Sequence, residues 1–109
     1  MKQIFLTVIT LMSLSAQAHL PQPPNDLPLA LQELRAKCEN ENTSHRDASR
    51  AATRIVSALS QAQQQSNVVA EIVAYSQEIT AVAHIVTLMG PWAHAGWEND
   101  FALLCQRYQ

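Results

Sequence analysis

Glycine is scarce in this chain: two residues in 109. Tight β-hairpins lean on glycine-bearing turns, and no stretch shows strand-like alternation bounded by such turns. No sheet is therefore expected. Charge is scarce too, at 15% of residues, and neither sign dominates, with seven basic side chains against nine acidic ones. A nucleic-acid binder would carry a basic footprint, and a surface drawn to anionic lipid would carry basic clusters; neither is present. Paired histidine spacing, a Cys-x-x-Cys-His haem attachment and an acidic calcium loop are missing as well. Serines are plentiful, but no strand–turn–helix elbow presents one as a nucleophile. Glu71 and Glu78 are separated by about 10 Å along a helix axis, too far for a carboxylate dyad. The expectation is a protein that is not an enzyme and holds no cofactor.

What is present begins at the first residue. Lys2 gives a positive start. Ile4 to Leu14 is apolar apart from Thr7, Thr10 and Ser13, and Ala16-Gln17-Ala18 is a small-x-small exit. This is the layout of a secretory signal peptide over residues 1–18, with cleavage after Ala18. The apolar part is too short to span a bilayer. The mature chain would begin at His19 in the periplasm, about 90 residues long, one small domain. Losing Lys2 makes it one unit more acidic. The next longest apolar run, Val68 to Met89, is interrupted by Glu71, Gln77, Glu78 and His84, so no stable membrane span is expected.

So small a domain is marginal without a staple. Cys38 and Cys105 are the only two cysteines, and an exported protein meets an oxidising compartment. A disulfide between them would close a loop of roughly 65 to 70 residues and contribute about 4 kcal/mol in the chain-entropy account.

Residues 19–26, with Pro21, Pro23 and Pro24, read as a Pro-rich arm. The helical domain follows over 27–109. Asp26 is placed to cap a first helix with Pro28 in its opening turn; Leu27, Leu31, Leu34 and Cys38 share one face. Ser44-His45-Arg46-Asp47 fits a capping box, and Ala48, Ala51, Ala52, Ile55, Leu59 and Ala62 form the inner face of a second helix. A turn near Ser66-Asn67 separates it from a third, about Asn67 to Met89. There Val68, Ile72, Ile79, Val82 and Val86 make one stripe and Ala70, Ala74, Ala81 and Leu88 an opposite one. Apolar residues on two sides predict a central helix. Gly90-Pro91 stops it. A last helix carries Trp97, Phe101, Leu104, Cys105 and Tyr108 on one face, with Glu98 and Asp100 near its start. The fold class is all-α: a small four-helix bundle stapled by one disulfide, after a cleaved signal peptide. In a plain up-down-up-down bundle Cys38 and Cys105 would point to opposite poles, yet a disulfide needs Cα atoms within about 7 Å. An irregular bundle is expected, with a short last helix crossing it or a less simple topology.

Two surfaces stand out. Trp92, His94 and Trp97 cluster in a Gly/Pro-framed loop, and tryptophan is enriched at binding hot spots; both could equally cap the core. Arg46, Arg50 and Arg54 recur every four residues on the outer face of the second helix, a stripe able to steer an acidic partner, with Asp47 placed to pair Arg50. A third candidate is chemical: at the mature N-terminus, the amine and imidazole of His19 could chelate Cu(II), with help from His45, His84, His94 or Met89. The leading expectation is a periplasmic protein acting by protein–protein binding in the bacterial envelope: a secretion or conjugation accessory, a small toxic factor, or an immunity or inhibitor partner. The alternatives are an envelope copper binder anchored on His19, and a stress chaperone, which the chain resembles in format only: helical, under a hundred mature residues, one disulfide.

Overall fold

The computed structural model describes residues 26–109. The leader, its cleavage site and His19 lie outside the described residues. Within them four helices follow one another: α1 (Leu27–Glu39), α2 (His45–Gln64), α3 (Val69–Met89) and α4 (Trp97–Arg107). No strand occurs among the described residues, so the all-α class holds.

Each boundary has a local cause. Pro28 sits in the first turn of α1, where a missing N–H costs nothing. Asp26, expected to cap α1, does so only with its backbone: its carbonyl accepts from the Ala30 N–H at 2.9 Å, while its carboxylate makes no cap and reaches Arg54. The attraction of a guanidinium outcompetes that of a helix-start amide. Ser44 does cap α2, its Oγ accepting from the Asp47 N–H at 3.1 Å. Gln65 ends α2 and Val68 opens α3, which puts the turn at Ser66-Asn67 as read from the sequence. Gly90 ends α3 at φ +71°, a backbone setting that a Cβ would strain.

The most alanine-rich helix, α2, takes the centre. It packs against α1, α3 and α4, whereas α1 and α3 do not touch. Ala48, Ala51, Ala52, Ile55, Ala58, Leu59 and Ala62 are all buried on it; short side chains let several neighbours approach closely. The expectation that α3 is the central helix is thereby corrected. One side of α3 buries Val82, Ile85 and Met89. The opposite stripe is largely uncovered: Ala70, Ala74 and Leu88 are exposed and Ala81 is partly so. By length and composition alone α3 would reach across a membrane, with mean hydropathy 1.3; in the fold it packs along α2 and α4.

The disulfide forms between Cys38 and Cys105 with Cα atoms 5.8 Å apart. The polarity problem is solved by a short last helix. With only 11 residues, α4 ends beside the C-terminal half of α1, and the Arg35 Nε donates to the Tyr108 carbonyl at 3.2 Å. A second tie fixes the same end. Arg107 donates through Nε and Nη2 to the two carboxylate oxygens of Glu78 on α3, both at 2.8 Å, and the Tyr108 hydroxyl donates to the same carboxylate. The core that these ties enclose is built on Leu34, Ile55, Val82, Met89 and Leu104, all fully buried.

Candidate docking surface

The end of α3 explains the loop that follows it. A helix leaves its last four carbonyls without intrahelical donors. Here all four are met. The Gly90 N–H serves both Val86 and Thr87, at 3.1 Å each. Pro91 has no N–H to offer. The remaining two carbonyls take histidines from outside the helix: His94 Nε2 lies 3.1 Å from the Leu88 oxygen, and His45 Nε2, at the start of α2, lies 3.1 Å from the Met89 oxygen. The His45 ring also stands edge-on to Trp97, centroids 5.2 Å apart. Trp97 in turn leans on Phe101. The loop 90–96 is thus held at both ends by imidazoles.

This arrangement separates residues that the sequence placed together. Trp97 is 9% exposed and belongs to the core, so it is no part of a contact surface; Trp92 is 78% exposed and belongs to the surface. His94 is exposed but committed to the helix end. The arginines separate too. Arg54 donates to Glu33 at 2.6 Å and to Asp26 at 3.1 Å, which neutralises it. Arg46 and Arg50 make no hydrogen bond or ion pair among the described residues. The expected Asp47–Arg50 pair does not form.

The two surfaces come together at one residue, Pro91. A shallow, open hollow of about 810 Å³ runs along the outer side of α2 and is lined by His45, Arg46, Ser49, Arg50, Thr53, Arg54, Ser57 and Pro91. Pro91 brings the loop to the arginines, and Trp92 follows it in the chain. The hydroxyls of Ser49, Thr53 and Ser57 recur every fourth residue, as do the arginines, so both rows face one side of the helix. The sequence analysis read the arginine row; the hydroxyl row beside it and the approach of Pro91 to both emerge only in the fold.

No group of three or more His, Cys, Asp or Glu side chains able to hold a metal ion occurs among the described residues. Of the ligands considered for His19, His45 and His94 point their Nε2 atoms at backbone carbonyls, and Met89 is fully buried. No protein-family model, curated protein or solved structure matches this chain.

Proposed function

We propose that this protein acts by binding another protein in the bacterial envelope, through the face made by Arg46, Arg50 and Trp92. One observation carries this reading: two guanidiniums without partners among the described residues share a hollow with Pro91, and the next residue in the chain is a tryptophan left 78% exposed. The described chain has more carboxylates than cations, yet these two arginines are left unneutralised. Such a face suits an acidic segment of a partner, with Trp92 as the anchor that desolvates and the arginines as the charges that steer. The Cys38–Cys105 disulfide supports an oxidising compartment, in keeping with the exported state read from residues 1–18.

The test is a crosslinking pulldown from envelope extract with three proteins: the native chain, Trp92→Ala and Arg50→Glu. Both substitutions lie at exposed positions, so circular dichroism and Tm should be unchanged. The expected result is one envelope protein recovered with the native chain, lost with both variants, and released as salt is raised. If every captured protein persists in both variants, this face is not the docking surface and the reading is wrong.

A further inference from the structure

The loop that carries Trp92 hangs on His94, and His94 makes contacts that a neutral ring cannot satisfy. Its Nε2 is 3.1 Å from the Leu88 oxygen and its Nδ1 is 3.0 Å from the Ala95 oxygen. A carbonyl oxygen only accepts, so each contact requires an N–H. Neutral imidazole has one and imidazolium has two. In the neutral ring, one nitrogen lone pair would face a carbonyl lone pair. His45 differs: only its Nε2 faces an acceptor, and one N–H is enough.

The surroundings favour the charged ring. The Leu88 and Met89 oxygens are the last carbonyls of α3, the negative end of a 21-residue helix, where a cation is stabilised. From α4, Asp100 adds an attractive charge. From α2 come His45, on the adjacent Met89 carbonyl, and Arg46, which lines the hollow beside Pro91; the permanent positive charge of Arg46 opposes the charged ring. The balance lies with the carbonyls: the hydrogen bond to Ala95, then that to Leu88, raise the His94 pKa above the ordinary imidazole value.

We infer that His94 is a pH-operated latch on the loop 90–96: protonated, it ties Ala95 to the end of α3 and holds Trp92 in its presented position; deprotonated, it drops one of its two ties and frees the loop. The step is a single proton exchanged with water. Resting on the docking surface proposed above, this makes partner binding stronger in mild acid than in mild alkali.

Three readings of the full mature chain test it. A histidine-ring NMR titration should give His94 a midpoint above that of the same residue in urea-unfolded protein. Each pH unit of difference corresponds to a tenfold gain in latch stability. Amide exchange over residues 92–97, corrected for the intrinsic pH dependence, should show greater protection at about pH 5 than at about pH 8. In His94→Gln, which keeps one donor nitrogen but cannot charge, that difference should vanish while helical circular dichroism persists. A folded midpoint at or below the unfolded one, or a pH difference that survives in His94→Gln, overturns the latch. These measurements need no partner, so they stand apart from the pulldown. If the loop follows pH and the affinity of a captured partner does not, the control of docking is refuted.

Discussion

The two ends of this molecule are held by different means. At the end where α4 crosses to α1, α4 packs on each of the other three helices. The disulfide, the Arg107–Glu78 pair and the Arg35–Tyr108 bond all lie there, around Leu34, Met89 and Leu104. Toward the other end, α2 and α3 continue as a pair past the shorter helices. Its contacts are sparser: Ala58, Leu59 and Ala62 from α2 are buried, but nothing on α3 before Val82 is, and Val69 and Val73 are 74% and 49% exposed. Side-chain bonds from Gln63 to the Ile72 carbonyl and from Ser66 to Glu71 close this hairpin. The contrast shows how a small chain builds a stable domain: it concentrates cross-links where short helices must be retained and leaves the long pair to hold itself. Opening free energy is therefore expected to fall along the long axis, from the stapled end to the hairpin tip.

The largest test removes the staple. The double change Cys38→Ser with Cys105→Ser should lower stability by about 4 kcal/mol, because the bond closes a long loop. Denaturant midpoints with and without reductant should show the same loss in the native protein. Hydrogen exchange should place the first losses of protection in α1 and α4. A staple worth less than about 1 kcal/mol would mean that the four-helix end coheres by packing alone. The next test compares the ends directly. Leu104→Ala should cost about 3 kcal/mol, since it empties a fully buried site. Val73→Ala should cost less than about 0.5 kcal/mol. Equal costs would break the contrast and would require something to cover the outer side of α3.

The Glu78 tie gives the comparison a pH signature. Hydrogen bonds from Arg107, reinforced by that from Tyr108, hold the Glu78 carboxyl below the usual carboxylate range. A pKa lowered by folding stabilises the folded state above the unfolded value, and that contribution is lost as pH falls through the folded value. With the Arg107 side chain 41% exposed, the contribution after solvent screening is about 1 kcal/mol. Glu78→Gln should therefore be less stable than the native chain near neutrality. The two urea curves should converge as the carboxylates are protonated. A gap that persists in strong acid would assign the loss to packing. His94 runs the other way: its raised pKa contributes stability below the ordinary imidazole value, lost as pH rises through the folded one.

Much of this architecture was legible because the chain punctuates its helices with chemistry that has few alternatives. Ser44 starts one, Gly90-Pro91 stops another, and two cysteines leave a single intramolecular pairing to consider. The burial of Trp97 was legible in its spacing with Phe101 and Leu104. The outer side of α3 was misread because an apolar stripe says that a helix can be covered, not that a neighbour exists to cover it; α1, the helix that might have done so, lies on the far side of α2. The site was less legible still. Which arginine is free depends on where Asp26 and Glu33 land, 28 and 21 residues away from Arg54. The role of His94 depends on two carbonyls that no sequence pattern marks.

The smallest expected effect separates two helix starts that look alike in sequence. Both α1 and α2 are preceded by a residue suited to N-capping, Asp26 and Ser44. Only Ser44 caps with its side chain; Asp26 spends its carboxylate on Arg54 across α1 and α2. Ser44→Ala leaves a helix-start amide without its acceptor and should cost about 1 kcal/mol. Asp26→Ala removes one arm of a largely exposed ion pair, in which Arg54 keeps Glu33, and should cost a few tenths of a kcal/mol, about 0.3. Salt sharpens the distinction. Raising ionic strength should shrink the Asp26→Ala effect, because an exposed ion pair weakens as salt is added, and should leave the Ser44→Ala effect in place, because a hydroxyl–amide bond carries no net charge. If Asp26→Ala proves as costly as Ser44→Ala and equally insensitive to salt, Asp26 caps α1 in solution. Arg54 would then rest on Glu33 alone, and only Arg46 and Arg50 would remain for a partner.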